Sequence, residues 1–423
     1  MAGPRNFFSV AARQCSPAVN LQTTSSQKAF NGGLKLAGAT TSSWKTSTAD
    51  SGEEGNLREK WREFQGVKNW DGLLDPLDDG LRREILRYGE FVEAAYRSFD
   101  FDTSSPDYAT CLFPDRWMLA RCGIGNTGYE VTKHLHATCG IQLPDWADRI
   151  PGWMAARSSW IGYVAVCTDE REIARLGRRD VVIAYRGTAT CMEWLENLRA
   201  TLACLPADMA PDCCQSMVPS GFLSLYTSRH STCPSLQDSI REEVSRIVAK
   251  YADEPVSITV TGHSLGAALA TLTAHDITTS FKEQNPPAAA PLVAVVSFGG
   301  PRVGNKSFRS QLEKNGTKVL RIVNSDDPIT KIPGFVLEES SPPAVWRGNG
   351  ILSDWVQRQW VYAEVGKELR LSSRDCPQIN GGGFATCHDL KTYLHLVDNL
   401  VSSNCPLRAT ASRVLMNAAN IRT

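Results

Sequence analysis

The stretch Thr261-Gly262-His263-Ser264-Leu265-Gly266 decides the fold. Ahead of it, Val256-Ser257-Ile258-Thr259-Val260 is alternating and β-branched; behind it, Ala267-Ala268-Leu269-Ala270-Thr271-Leu272-Thr273-Ala274-His275 is rich in helix formers. The chain here reads strand, sharp turn, helix, and that context turns a Gly-x-Ser-x-Gly match into a nucleophile elbow. A serine on so tight a turn needs small neighbours at Gly262 and Gly266, because a Cβ at either position would collide with the crowded backbone. Its hydroxyl then stands clear of the sheet beside a helix N-terminus, whose unused N–H groups are suited to a developing oxyanion. His263 and Leu265 complete the turn.

Strand-like runs surround the elbow. Leu292-Val293-Ala294-Val295-Val296-Ser297-Phe298 is continuously apolar, as a strand buried on both faces should be. Lys318 to Asn324 follows a short helix through Phe308 to Leu312, and Trp160 to Val166 and Asp180 to Tyr185 precede the elbow, joined by a turn through Gly177-Arg178-Arg179. Amphipathic helices are expected over 81–96, with Leu81, Ile85, Tyr88, Val92 and Tyr96 on one face, and over 238–251. This β-α-β-α-β rhythm implies an α/β fold, a mostly parallel central sheet with flanking helices.

An acyl-transfer site at Ser264 needs an oxyanion donor besides the Leu265 N–H, usually from the loop after an early strand. Tyr185-Arg186-Gly187-Thr188 ends such a strand, and Thr188 fits the role. Beyond it, Trp194, Leu195 and Leu198 give an apolar short helix, followed by Pro206, Pro211 and Pro219, which reads as a lid over about residues 190–218. The acid of a Ser-His-Asp triad belongs on a loop after a later strand, with the histidine later still. Asp326 and Asp327 both qualify. Of the two histidines that follow, His388 opens a helix after the Gly381-Gly382-Gly383 loop, where it can swing towards Ser264, whereas His395 lies mid-helix and packs.

Composition narrows the partners. The chain has 423 residues, 42% of them hydrophobic, and its 45 Lys and Arg balance 45 Asp and Glu, so neither a nucleic-acid-binding stripe nor steering of an anionic partner is expected. No apolar run approaches the ~18 residues of a transmembrane span. Thirteen cysteines without regular spacing read as reduced, mostly buried thiols in a reducing compartment. His134-Leu135-His136 has no third ligand nearby, so no metal and no cofactor are expected.

Residues 1–52 are basic and hydroxyl-rich and carry no acidic residue before Asp50, the composition of an organellar transit peptide. Its Ser/Thr excess leans towards the chloroplast, while Arg5-Asn6-Phe7-Phe8-Ser9-Val10 fits a mitochondrial helix. A single domain is expected over 53–410, with an N-terminal arm and helix over 57–100, and a tail over 411–423. Trp61 and Trp70 mark the arm as ordered.

Taken together, the elbow, Ser297 to Asn305, Tyr185 to Thr188 and Cys387-His388-Asp389-Leu390-Lys391-Thr392-Tyr393-Leu394-His395 resemble the class 3 lipases. Trp61-Arg62-Glu63, Asn69 to Leu77 and the leader are more narrowly similar to the plant organellar phospholipase A1 family. The resemblance implies an α/β-hydrolase with a lid, acting on the sn-1 ester of membrane glycerolipids such as phosphatidylcholine and galactolipids, with triacylglycerol as a further substrate. It matches Ser264 to the nucleophile, Asp327 to the acid, His388 to the base, and Thr188 with Leu265 to the oxyanion donors. The implied partner is a bilayer surface met peripherally, with no protein partner, and the released acid would serve jasmonate synthesis. A catalytically silent scaffold and a soluble carboxylesterase are the alternative readings.

Overall fold

The computed structural model describes residues 51–138, 158–188, 201–211, 215–229, 233–284, 291–332, 362–376 and 383–400. Residues 1–50 of the expected leader, the tail over 411–423 and the three named lid residues Trp194, Leu195 and Leu198 lie outside them.

Helices α1 (Ser51–Phe64), α2 (Asp79–Arg97) and α3 (Asp115–Arg121) precede strands β1 (Tyr129–Thr138) and β2 (Ser158–Cys167). Helix α4 (Glu170–Leu176) leads to β3 (Arg179–Tyr185), and the short β4 (Leu202–Cys204) and β5 (Met217–Pro219) to helices α5 (Ser220–Thr227) and α6 (Leu236–Lys250). Then come β6 (Val256–His263), α7 (Leu265–Gln284), β7 (Leu292–Phe298), α8 (Lys306–Asn315), β8 (Lys318–Asn324), β9 (Lys367–Leu371), α9 (Phe384–His388) and α10 (Leu390–Asp398).

Seven strands make one sheet in the order β1-β2-β3-β6-β7-β8-β9. The pairs from β3 to β9 are parallel, and β1-β2 and β2-β3 antiparallel. Central strands are buried on both faces, which is why they read as apolar runs. Along β3, Val182 and Ala184 join a core with α2 residues Ile85, Tyr88 and Val92. Val181, Ile183 and Tyr185 join the opposite core with Ile240 and Val244 of α6 and Leu269 and Leu272 of α7. One strand thus serves two hydrophobic layers, each supplied by its own helices.

The N-terminal end of β3 is tied to α2 by buried charge. Arg87 donates to Glu84 at 2.8 Å and to Asp180 at 3.0 Å, and Arg178 donates to the same Glu84 oxygen at 3.0 Å. Burial alone would raise the Glu84 carboxyl, but the two guanidinium groups hold it at about 2.

Two features depart from the sequence reading. Between β2 and β3 the chain forms helix α4, capped by the Asp169 side chain on the Glu172 N–H at 2.9 Å, where only a turn was expected. Strands β1 and β9 extend the sheet at both edges. The described part of the stretch expected as a lid includes the β4–β5 pair, Leu202 against Pro219 and Cys204 against Met217, with Leu202, Leu205 and Met209 buried.

Candidate active site

Strand β6 ends in Gly262-His263, helix α7 begins at Leu265, and Ser264 stands between them at φ 58°, the left-handed region that costs a non-glycine residue. The surroundings enforce that conformation. The Ser264 N–H donates to Phe298 O of β7 at 3.0 Å, and the Ala267 N–H to Ser264 O at 3.0 Å. A Cβ on Gly262 would lie 2.4 Å from the Gly266 carbonyl group, and one on Gly266 would lie 2.5 Å from Arg186 O. Both glycines are thus required by close backbone approach. Ser264 is only 2% exposed. The Leu265 N–H opens α7, so the helix itself gives it no carbonyl partner.

The end of β3 closes on the same point. Tyr185 pairs with Gly262, and a Cβ on Gly187 would lie 3.0 Å from Ser264 Cβ. Thr188 is the next residue in the chain.

After β8, the loop that starts at Asn324 carries Asp327, fully buried. Its Oδ2 accepts the Nδ1–H of His388 at 2.7 Å and the hydroxyl of Tyr393 at 2.6 Å, while Oδ1 accepts the Ile329 N–H at 2.9 Å. The carboxylate is held by three donors, one of them the imidazole. With Nδ1 engaged in this way, Nε2 is the basic nitrogen of His388. Asn324 secures the frame by donating its amide to Cys387 O at 2.9 Å and accepting the Ser373 N–H at 3.1 Å.

His263 links these parts. Its Nε2 is 2.7 Å from the carbonyl of His388, which can only accept, so Nε2 carries the proton and Nδ1 accepts from the Tyr96 hydroxyl at 2.7 Å. Tyr96 in turn accepts the Gly187 N–H at 2.8 Å. Burial pushes the His263 imidazole well below its ordinary pKa, and neighbouring His388 adds to this, so the ring stays neutral.

The remaining candidates lie elsewhere. Asp326 points away from His388, receiving the Ser373 hydroxyl at 2.9 Å and Arg374 at 2.8 Å. His395 contacts Cys376 Sγ at 3.4 Å. His134 accepts the Trp160 indole N–H at 2.6 Å and meets Asp115 at 2.5 Å. No cluster of three or more metal-ligating side chains occurs among the described residues. Cys111, Cys122, Cys167 and Cys204 are free thiols.

Sequence reasoning missed Tyr96 and Tyr393 as site residues, because both fall on apolar helix faces and read as core. The available signal for Tyr393 was a hydroxyl at an inward position just past His388.

Residues 182–337 match the family profile described as lipase (class 3). The chain is 62% identical over 369 residues to the chloroplastic phospholipase A(1) DAD1 of Arabidopsis thaliana, covering 85% of this chain and 80% of that protein. It is 43% identical over 348 residues to the chloroplastic/mitochondrial phospholipase A1 EG1 of Oryza sativa subsp. indica, covering 80% and 74%. With the chloroplastic galactolipase DONGLE of Arabidopsis thaliana it shares 41% over 350 residues, covering 81% and 70%.

Proposed function

The chain belongs to the class 3 lipases, within their plant phospholipase A1 group, and from that premise we propose that it hydrolyses the sn-1 ester of membrane glycerolipids through Ser264, His388 and Asp327. The observation that carries this reading is a left-handed Ser264 whose neighbour His263 reaches the His388 carbonyl at 2.7 Å, with His388 paired to Asp327 at 2.7 Å. Its relatives' names supply the substrate class, phospholipid and galactolipid.

In this mechanism His388 takes the Ser264 proton at Nε2 as the serine oxygen attacks the acyl carbonyl. Asp327 keeps Nδ1 protonated and balances the imidazolium that forms. The Leu265 and Thr188 N–H groups receive the oxyanion, each contributing about 10²–10³ in turnover. The lysolipid leaves with the proton from His388, and water, activated by the same imidazole, frees the fatty acid. The substrate meets the enzyme at a bilayer surface, and no helix among the described residues is long and apolar enough to cross one. The place of action is the chloroplast, as in the names of the relatives, after removal of the leader. The acid released is assigned to jasmonate synthesis.

The test is wild type beside Ser264→Ala on vesicles of phosphatidylcholine or monogalactosyldiacylglycerol labelled differently at sn-1 and sn-2. Release of the sn-1 acid by wild type alone supports the reading. Absence of release from either protein, with no labelling of Ser264 by a fluorophosphonate, overturns it and leaves the scaffold reading.

A further inference from the structure

The exposed large hydrophobic residues among those described are Val67, Leu112 and Trp117, and two of them lie within six positions of each other. Leu112 is 49% and Trp117 51% exposed. Pro114, Asp115, Arg116, Ala120 and Arg121 are exposed beside them, Asp115 being engaged by His134, so two arginines face one paired carboxylate. The Arg116 guanidinium sits 5.1 Å from the Trp117 ring centroid. An exposed indole stacked by one arginine, with a second arginine one turn along the helix, pairs an apolar wedge with phosphate-binding donors.

The support beneath is firm. Met118 and Leu119 of α3 are buried, and the Leu112 N–H donates to Ser98 O at 2.7 Å, just past the end of α2. The exposed residues therefore project from a packed platform.

Register places this platform at the end of the sheet that carries Ser264. Asp115, first residue of α3, meets His134; His134 pairs with Tyr163, and Tyr163 with Ala184, the penultimate residue of β3. Arg186, next after that strand, stacks its guanidinium 3.5 Å from the Phe99 ring centroid and donates to Trp160 O at 2.9 Å. Trp160 in turn donates its N–H to Ala109 O at 2.9 Å.

Given this position, we propose that Leu112 and Trp117, flanked by Arg116 and Arg121, form a docking surface for a phospholipid bilayer. The apolar side chains enter the head-group boundary and the arginines bind lipid phosphates. The inference rests on the glycerolipid reading of the active site and adds the surface by which the enzyme is held on its substrate. Charge complementarity selects the occupant. The whole chain is electrically balanced, so attraction to an anionic surface has to be local, and here it accompanies a tryptophan, the side chain best suited to the interface.

The test uses the full chain and Leu112→Ser/Trp117→Ser, both carrying Ser264→Ala, in sedimentation with vesicles of phosphatidylcholine and phosphatidylglycerol. Loss of about tenfold or more in vesicle affinity is expected, because two half-exposed apolar side chains no longer enter lipid. Arg116→Gln/Arg121→Gln should weaken binding to the anionic vesicles and reduce its sensitivity to salt. With Ser264 intact, every surface variant should hydrolyse a water-soluble short-chain ester at the wild-type rate, which also shows that it folds. Equal sedimentation of wild type and variants overturns the proposal, and so does a wild-type dimer in light scattering that the double serine variant abolishes. Loss of short-chain ester hydrolysis in wild type itself would instead strike the reading of the active site.

Discussion

The Tyr96 hydroxyl donates to His263 Nδ1 at 2.7 Å while accepting the Gly187 N–H at 2.8 Å, so one side chain from α2 joins the elbow to the end of β3. His263 passes the constraint on to the His388 carbonyl. Tyr96 and His263 are thus positioned to hold the elbow, the end of β3 and the backbone of His388 in one register. Tyr96→Phe removes two hydrogen bonds without opening a large cavity, and should lower kcat about tenfold with little change in KM. Steady-state hydrolysis of a soluble ester checks this, and an unchanged kcat would reduce the contact to packing.

Ser264 occupies a conformation that glycine adopts freely. Ser264→Gly should abolish hydrolysis and yet be more stable than Ser264→Ala by about 1 kcal/mol, since only alanine retains the strain. Denaturant melts of the two variants read the difference.

The two adjacent carboxylates should separate cleanly. Asp327→Asn leaves His388 with a partner that can favour the wrong tautomer and should cost about 10⁴ in kcat. Asp326→Asn alters the contacts to Ser372, Ser373 and Arg374 and should stay within about threefold of wild type. Equal losses in the two would leave the acid unassigned between them.

Tyr393 donates to the same Asp327 oxygen that accepts His388. Tyr393→Phe withdraws one donor from that carboxylate and loosens its hold on the His388 ring, so kcat should fall about tenfold with KM nearly unchanged while the protein keeps its fold. Steady-state hydrolysis of a soluble ester beside a denaturant melt reads this, since a merely structural role would lower stability and leave kcat in place.

Acid should loosen the attachment of α2 to the sheet. The Glu84 carboxyl is held at about 2, below its ordinary 4.5, so its contribution to stability is complete above about pH 4.5 and is lost as pH falls towards 2. Glu84→Gln should cost about 3 kcal/mol at neutral pH by leaving Arg87 and Arg178 to share the Asp180 carboxylate. The gap from wild type should narrow between pH 4.5 and 2.5 in chemical denaturation.

The central sheet and elbow were legible because their signals are local. A buried parallel strand needs an unbroken apolar run, and the turn needs Gly262 and Gly266. Strand β1 was hidden by irregular pairing between Val131 and Lys133 and between Leu135 and His136, which disrupts the alternation of inward side chains. Strand β9 is a short edge whose Lys-Glu-Leu-Arg-Leu has no strand bias. Asp326 and Asp327 are chemically identical in sequence, and only the backbone after Asn324 turns one towards His388. The links through Tyr96, His263 and Tyr393 join residues as far as 167 positions apart, beyond the reach of any sequence window.

The carbonyl of Phe298 that accepts the Ser264 N–H belongs to a strand completed 34 residues after Ser264, and Arg186 O, against which Gly266 rests, follows directly on one finished well before it. No fragment of the chain holds this turn alone. Reactivity therefore arrives only with cooperative closure of β3, β6 and β7, and a nascent or unfolded chain has no organised nucleophile with which to attack the membranes it passes. Hydrolysis in this protein is a report on the finished sheet.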